Sequence, residues 1–294
     1  MLLDGHKIAQ AIHAEIKDVL QKLATHARKP CLACVLTTKH PASASYVQRK
    51  IKACHEVGIE SQVFHLQPHC TKELLDFIDK LNLDPMVDGI LIQLPLPPHI
   101  HLLEVLEKID PLKDVDGFHP LNAGKVLLQD PTAFNPCTPL GIKVLLERYE
   151  IDITGKHVVI LGRSNIVGKP LAALLMQDAP GCNATVTVAH SKSTYLKELT
   201  RTADILVAAM GRPKAVEADW VKEGAVVVDV GINRVEALAS KSGYKVIGDV
   251  DFENVKNKCM AITPVPGGIG PMTIAMLLKN TLKSYYLRNK LQLP

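Results

Sequence analysis

The sequence predicts an α/β fold made of two domains with mainly parallel sheets. Short apolar runs alternate with amphipathic stretches from end to end, which is the pattern of strands joined by helices. The 294 residues suffice for two α/β domains of ordinary size. Near residue 140 a helical stretch leads into a second and more regular succession of strands and helices, which indicates a domain boundary.

The elements of the first half follow from changes in hydrophobic period. Gly58 is a C-terminal stop for the second helix, and the proline-rich loop after residue 94 ends the third strand. The segment 110–139 is predicted to be irregular, and a long irregular run in a compact protein is usually functional. The predicted helices cover 6–25, 43–57, 71–81 and 100–108, and the strands cover 31–37, 63–66 and 89–94.

After a helix at 140–149, the second half has the succession of a Rossmann-type dinucleotide-binding domain. Residues 1–139 are predicted to form one domain, completed by the last helix within 271–294, and residues 140–270 the other. The predicted strands are 157–161, 185–189, 204–209 and 225–230, with short ones near 245–247 and 260–263, and the helices are 167–177, 194–201 and 271–288.

Composition excludes several classes of partner. The net charge of +4 is spread along the chain and aromatic residues make up only 4%, which argues against a nucleic-acid surface. No run approaches the roughly 18 apolar residues that span a membrane, and the first residues do not resemble a signal peptide. We therefore expect no nucleic-acid or membrane partner and a cytoplasmic location.

The seven cysteines are odd in number and scattered, which indicates reduced thiols. Cys31 and Cys34 form a C-x-x-C pair inside a predicted strand, where their side chains face opposite sides and are best explained as small buried residues. His99 and His101 have no matching second pair of metal ligands. No metal is expected.

A candidate nucleotide site lies where the strand ending at Leu161 runs through a turn into a helix. Glycine permits a tight turn, and a helix N-terminus offers free N–H groups to phosphate. Ser164 replaces the middle glycine of the usual dinucleotide motif and the loop is one residue longer, so a simple packing turn is the alternative. The further strands that follow favour the nucleotide.

The end of the next strand bears on which nucleotide binds. An NAD site usually places Asp or Glu there to bind the ribose hydroxyls, but the segment 188–193 has no carboxylate. Ser191 and Lys192, together with Arg163 from the first turn, could instead surround an additional phosphate. The sequence therefore favours NADP over NAD.

A second candidate site lies in the first half. Tyr46 and Lys50 are four residues apart and share a helix face, although a lysine stem that covers a surface ring is the simpler explanation of such a pair alone. Gln93 favours function, because a polar residue at the carboxyl end of a buried strand lies where α/β proteins bind ligands. Asp116 belongs to an Asp-Gly turn, or it binds adjacent N–H donors such as those of a pterin.

Seven segments together carry a family resemblance that extends over essentially the whole chain. The sequence resembles the bifunctional methylenetetrahydrofolate dehydrogenase/methenyltetrahydrofolate cyclohydrolases. It departs from the family pattern at the turn Thr37–His40, where members usually have a Gly-Asp type of turn. The matching segments are Pro41–Lys50, Gln93–Pro97, Lys113–Phe118, Pro136–Pro139, Gly162–Pro170, Val230–Arg234 and Pro264–Thr273.

The resemblance implies a role for each matching position. Tyr46 would stack on the folate, Lys50 would be the general acid/base tuned by Gln93, and Asp116 would anchor the pterin, so these four form the expected catalytic set and also bind substrate. Members are commonly homodimers with a cleft between two domains. The further substrate-binding residues would be Pro266, Gly267, Gly268, Pro271 and Thr273, and the NADP-binding residues Gly162, Arg163, Ser164, Ile166, His190, Ser191 and Ile232.

The expected reaction has two steps. A methylene carbon on tetrahydrofolate gives hydride to NADP⁺, and water then opens the methenyl product to 10-formyltetrahydrofolate, a product that the resemblance connects to purine, methionine and histidine biosynthesis. The alternatives are a monofunctional dehydrogenase, possibly NAD-linked, and a catalytically silent nucleotide-binding scaffold. ATP-dependent formate ligation is disfavoured because the chain has no P-loop.

Overall fold

A computed structural model describes residues 1–23, 27–38, 41–237 and 243–292. Lys39 and His40, the last residues of the turn that departs from the family pattern, lie outside the described residues. In the described part of the chain no helix is long and apolar enough to cross a membrane.

The chain divides into two compact units. The first unit comprises Gln10–Cys137 and Ile274–Pro294, and the second comprises Met1–Ala9 and Thr138–Thr273. We call them the folate unit and the nucleotide unit, after the ligands that the family resemblance implies for them. This division differs from the predicted boundaries mainly at residues 1–9. They join the nucleotide unit because the amide of Leu3 donates to the carbonyl of Ile262 at 2.8 Å.

The folate unit is built on a three-stranded parallel sheet in the order β2-β1-β3. β1 is completely buried, as its unbroken apolar sequence requires. One face of β1 and β3 packs against α3 and α4 around Leu74, Ile78 and Val105. The strands are β1 (Cys31–Leu36), β2 (Glu60–His65) and β3 (Gly89–Gln93), and the helices are α1 (Gly5–Gln21, from Gln10 onward), α2 (Pro41–Val57), α3 (Thr71–Leu83), α4 (Leu102–Lys108) and α5 (Pro120–Leu127). The next helix, α6 (Cys137–Arg148), belongs to the nucleotide unit from Thr138 onward.

The nucleotide unit is built on a five-stranded parallel sheet in the order β10-β7-β6-β4-β5, and β8 and β9 form a separate antiparallel pair. The last helix, α10, is continuous, although its residues from Ile274 onward belong to the folate unit. The strands are β4 (His157–Leu161), β5 (Thr185–Ala189), β6 (Ile205–Ala208), β7 (Val226–Asp229), β8 (Asn233–Glu236), β9 (Tyr244–Ile247) and β10 (Ala261–Ile262), and the helices are α7 (Gly168–Leu175), α8 (Leu196–Thr200), α9 (Phe252–Val255) and α10 (Ile269–Arg288).

Each parallel sheet has one point where the strand order reverses. In the folate unit the chain leaves β1 toward β2 and returns on the other side as β3. In the nucleotide unit it leaves β4 toward β5 and returns on the other side as β6. Ligands of open α/β sheets bind outside the carboxyl ends of the strands at these reversals. The fold therefore offers two sites, one between β1 and β3 and one between β4 and β6.

Two sequence predictions are wrong in detail. The segment 110–139 is not irregular throughout, because it contains α5 and the start of α6. α5 begins with Pro120, whose missing N–H costs nothing at that position, and the His119 ring accepts a hydrogen bond from the amide of Leu121. β8 is absent from the predicted elements, and it exists only through its pairing with β9.

Candidate active site

Lys50 lies at the reversal point of the folate-unit sheet. It belongs to α2, which follows β1, and only 6% of its surface is exposed. Its Nζ donates to Oε1 of Gln93, the last residue of β3, at 3.1 Å, and lies 5.0 Å from the centre of the Tyr46 ring. Three residues predicted to act together are therefore in contact, and Gln93 holds the amine through a hydrogen bond that sequence spacing does not reveal.

Asp116 belongs electrostatically to the same group. Burial raises the pKa of its carboxyl to about 6, the positive charge of Lys50 lowers that pKa, and the nearby Asp114 raises it. Burial likewise raises the pKa of Tyr46 to about 12, with a further contribution from the Asp116 charge. A carboxyl, an amine and a phenol therefore share one poorly solvated region.

The backbone that carries Asp116 is fixed by its two charged neighbours. The buried Lys113 donates from Nζ to three carbonyl oxygens at the end of α3, each at 2.7 Å. The buried Asp114 accepts from the amides of Phe118 and His119 at 3.1 and 2.8 Å. The side chains of Lys113 and Asp114 are both occupied by hydrogen bonds to backbone groups of the protein, so Asp116 is the member of this segment available to a ligand.

Asn280 is a residue at this site that sequence reasoning missed. It is buried in α10, and its Nδ2 donates to the carbonyls of Val115 at 2.8 Å and Asn135 at 3.0 Å. It thus joins the last helix to the peptide immediately before Asp116. The available indication was an amide in an otherwise largely apolar helix, since a buried amide needs partners.

The second site lies at the reversal point of the nucleotide-unit sheet. Gly162 follows β4 with φ of +138°, and a Cβ there would lie 2.3 Å from the carbonyl oxygen of Ala209, which follows β6. A Cβ on Gly168 would lie 2.0 Å from the carbonyl oxygen of Gly162. Both glycines are therefore required by close backbone approach, which makes the turn more specific than an ordinary packing turn.

The remaining predicted nucleotide contacts lie in this turn and in the segments that follow β5 and β7. Ser164 Oγ accepts from the amides of Val167 and Gly168 at the start of α7, at 3.1 and 3.4 Å. At the end of β5, the amide of His190 donates to Oγ of Ser193 at 3.1 Å. The predicted residues that stay exposed, and so available to a ligand, are Arg163, Ser164, Ile166, Ser191 and Ile232.

The predicted folate-binding turn belongs to the nucleotide unit. Gly267 has φ of +111°, and its carbonyl accepts from the amide of His6 at 3.1 Å. Gly5 packs closely against Gly268, because a Cβ on Gly5 would lie 1.8 Å from the carbonyl oxygen of Gly268. Thr273 Oγ1 is 3.0 Å from Thr138 Oγ1. The turn that contains Pro266 and Pro271 thus belongs to a different unit from Lys50 and Asp116.

Known proteins resemble the chain over its full length. Profiles of two tetrahydrofolate dehydrogenase/cyclohydrolase domains match it, the catalytic domain over residues 3–116 and the NAD(P)-binding domain over residues 136–289. The chain belongs to the tetrahydrofolate dehydrogenase/cyclohydrolase family. The bifunctional protein FolD of Protochlamydia amoebophila is 56% identical over 294 residues, which is 100% of both chains.

Solved structures of this family share the fold. The FolD enzyme of Campylobacter jejuni is 50% identical with a TM-score of 0.92, and the match covers 98% of this chain and 99% of that one. The dehydrogenase-cyclohydrolase of Trypanosoma brucei, solved with NADP and an inhibitor, is 37% identical with a TM-score of 0.92, covering 98% and 97%.

Family membership confirms the main sequence predictions. It confirms the resemblance and the α/β fold with two parallel sheets. It also confirms the class of enzyme, which is a methylenetetrahydrofolate dehydrogenase that is also a methenyltetrahydrofolate cyclohydrolase and uses a nicotinamide cofactor. The roles of individual site residues stay predictions. Among the described residues, no three His, Cys, Asp or Glu side chains are grouped as metal ligands.

Proposed function

We propose that the chain oxidises 5,10-methylenetetrahydrofolate with NADP⁺ and hydrolyses the 5,10-methenyl product to 10-formyltetrahydrofolate, with Lys50 as the acid/base of the second step. The observation that carries the assignment to Lys50 is its burial against Gln93 and Tyr46. Its positive charge is also close enough to Asp116 to lower the pKa of that carboxyl. NADP⁺, when bound, accepts the hydride.

The protein groups divide the work of binding and proton transfer. The Asp116 carboxylate accepts hydrogen bonds from the pterin, and the Tyr46 ring packs on it. During hydrolysis water adds to the methenyl carbon and one of its protons passes to the amine of Lys50. That proton then goes to N5 as the bond between the carbon and N5 breaks, and the remaining hydroxyl proton leaves to solvent as the formyl C=O forms. Gln93 orients the amine by accepting its hydrogen bond.

Two assays test this function separately. The chain should reduce NADP⁺ with methylenetetrahydrofolate, and it should hydrolyse added methenyltetrahydrofolate above the spontaneous rate without any nucleotide. Reduction without hydrolysis would favour a monofunctional dehydrogenase. Absence of both reactions would favour a nucleotide-binding scaffold and contradict the proposal.

Arg163 is proposed to bind the additional phosphate of NADP. We expect Arg163→Ala to lower the preference for NADP⁺ over NAD⁺ by about 10- to 100-fold, because a hydrogen bond to a charged group contributes about 1.5–3 kcal/mol. The ratio of kcat/KM for the two nucleotides measures it. Lys169→Ala is the control, since Lys169 Nζ already donates to Asn165 Oδ1 at 2.7 Å. An unchanged ratio in Arg163→Ala would contradict the assignment.

Asp116 is proposed to bind the pterin as a carboxylate. Because burial raises its pKa to about 6, the carboxylate form is lost as the pH falls through about 6. We therefore expect folate affinity to fall below that pH, and Asp116→Ala to lose about 10- to 100-fold in affinity at neutral pH while keeping NADP affinity. Calorimetric titration with tetrahydrofolate from pH 5 to 8 checks both.

The same titrations can also contradict the proposed role of Asp116 in pterin binding. The Asp116→Ala variant should lose the acid limb of the affinity profile. Asp110→Ala should retain it, because this half-buried acid of the same segment accepts only a local hydrogen bond from the amide of Leu112. Equal folate affinity in Asp116→Ala and the unmodified chain would refute the anchoring role.

We further propose that the chain works as a cytoplasmic homodimer and supplies purine, methionine and histidine biosynthesis. Free cysteines, four of them fully buried in the folate unit, suit a reducing compartment. Light scattering of the purified chain tests the homodimer, for which a mass of one chain would be the contrary result.

A further inference from the structure

The segment Gly248–Asp251 contains a buried acid that neither the sequence nor the proposed reaction explains. Asp249 is fully buried and its carboxylate has four donors. Oδ2 accepts from the amides of Met210 and Gly211 at 2.5 and 2.9 Å. Oδ1 accepts from the amide of Arg212 and from Nδ2 of Asn233 at 2.9 and 2.8 Å.

These four donors come from two loops at the same edge of the nucleotide-unit sheet. Residues 209–212 follow β6, and residues 230–232 follow β7 and lead into Asn233, the first residue of β8. One carboxylate therefore fixes the position of both loops and the gap between them. Since hydrogen bonds to a charged group are about twice as strong as neutral ones, these four bonds hold the two loops more firmly than four neutral bonds would.

A second buried acid supports the first. Asp229, the last residue of β7, accepts from the amides of Gly231 and Asp249 with Oδ1 and of Val250 with Oδ2, each at 2.9 Å. Burial raises the pKa of Asp229 to about 6. Glycines make room for both acids: a Cβ on Gly231 would lie 2.5 Å from Asp249 Oδ1, and one on Gly248 would lie 1.8 Å from Asp229 Oδ2.

The fixed loops lie on one side of the reversal point. A dinucleotide that crosses this point places its pyrophosphate at the β4 turn and the ribose of its adenosine half at the end of β5. Its nicotinamide half must then extend over the ends of β6 and β7. Ile232, exposed to 58%, stands there between Gly231 and Asn233, whose positions the two acids determine.

We propose that Asp249 is a positioning residue for the nicotinamide half of the cofactor. It acts through the loops after β6 and β7, and it does not itself contact the ligand. The inference rests on the proposed function in one respect, since it takes the bound dinucleotide to be NADP.

Loss of the Asp249 carboxylate should therefore weaken binding of the nicotinamide half of the cofactor and leave binding of the adenosine half unchanged. In Asp249→Asn one carboxylate oxygen is replaced by an NH₂ group, which faces N–H donors in either orientation. We expect this variant to bind NADP⁺ at least about 10-fold more weakly, the loss of about one charge-assisted hydrogen bond. It should bind 2′,5′-ADP, which has only the adenosine half, as tightly as the unmodified chain. Partial unfolding would weaken both ligands.

Two further variants complete the test. Asp251→Asn is the matched control: it removes an acid two residues away that pairs with Lys214 at 3.1 Å, and it should change neither affinity. Asn233→Ala removes only one donor to Asp249 and should weaken NADP⁺ in the same direction by less. This milder variant keeps the test valid should Asp249→Asn fail to fold.

The outcomes separate this inference from the proposed function. Calorimetry with NADP⁺ and 2′,5′-ADP requires no turnover, so a chain that binds both but oxidises no folate would refute the function alone. Equal weakening of both ligands, or unchanged NADP⁺ affinity in Asp249→Asn and Asn233→Ala, would overturn the positioning role. An unmodified chain that binds neither ligand would overturn both.

Discussion

Lys50→Met is expected to lose hydrolysis of methenyltetrahydrofolate by about 10²-fold or more, which is the contribution of a positioned general acid/base. Methionine keeps the length and the apolar stem of the side chain, so the packing against Tyr46 is retained while the proton-carrying atom is removed. The decay of methenyl absorbance after mixing with enzyme measures the loss.

The neighbouring Lys52 provides a matched control. It lies two residues away on the same helix, its side chain is 80% exposed and it pairs with Glu56 at 3.8 Å. Lys52→Met should hydrolyse at the normal rate. Lys50→Arg adds a separate distinction, because arginine keeps the charge but cannot release a proton. Inactivity of Lys50→Arg would indicate proton transfer, whereas activity would mean that the charge alone suffices.

Asp88→Ala is expected to lower the free energy of unfolding by about 3–5 kcal/mol, the cost of breaking a buried ion pair from one side. Asp88 is fully buried, and Arg28 donates to its two carboxylate oxygens at 2.6 and 2.7 Å. Arg288, at the end of α10, donates to it at 3.0 Å, and the amide of Cys31 at 2.9 Å. One acid thus connects the starts of β1 and β3 to the last helix.

Urea unfolding of the variant and a surface control measures this effect. Asp79 pairs with Lys108 at 2.7 Å, but both side chains are more than one third exposed. Asp79→Ala should therefore cost at most about 1 kcal/mol. If Asp88→Ala were no less stable than Asp79→Ala, the buried acid would not be what fixes α10 to this sheet.

The elements that could be predicted from the sequence are those with a clear local hydrophobic pattern. β1, β3 and β4 each contain an unbroken apolar run, and the structure places them within one or two residues of their predicted bounds. α5 was not predicted because Pro120 and Gly124 are poor helix formers, and the helix is stabilised by contacts outside itself. β8 has alternating exposed and half-buried residues and no apolar run, so no local signal distinguishes it from a loop before it pairs with β9.

The candidate site was predictable where a single strand end determined it. Gln93 could be assigned because a polar residue ended an apolar run, and the sheet order then explains its position. Its hydrogen bond to Lys50 joins residues 43 positions apart, so it could be identified only in the three-dimensional structure. The buried acids Asp229 and Asp249 escaped for the same reason: an acid after an apolar strand resembles the start of a solvent-exposed turn, and only the tertiary structure supplies its donors.

The most direct test of the account is one spectroscopic trace that follows NADPH and methenyltetrahydrofolate together, starting from methylenetetrahydrofolate and NADP⁺. In the unmodified chain NADPH should rise while the methenyl species passes through a transient maximum and disappears. In Lys50→Met the methenyl species should instead accumulate in step with whatever NADPH is formed. Disappearance of the methenyl species at the unmodified rate in Lys50→Met would contradict the central claim that Lys50 carries the hydrolytic step.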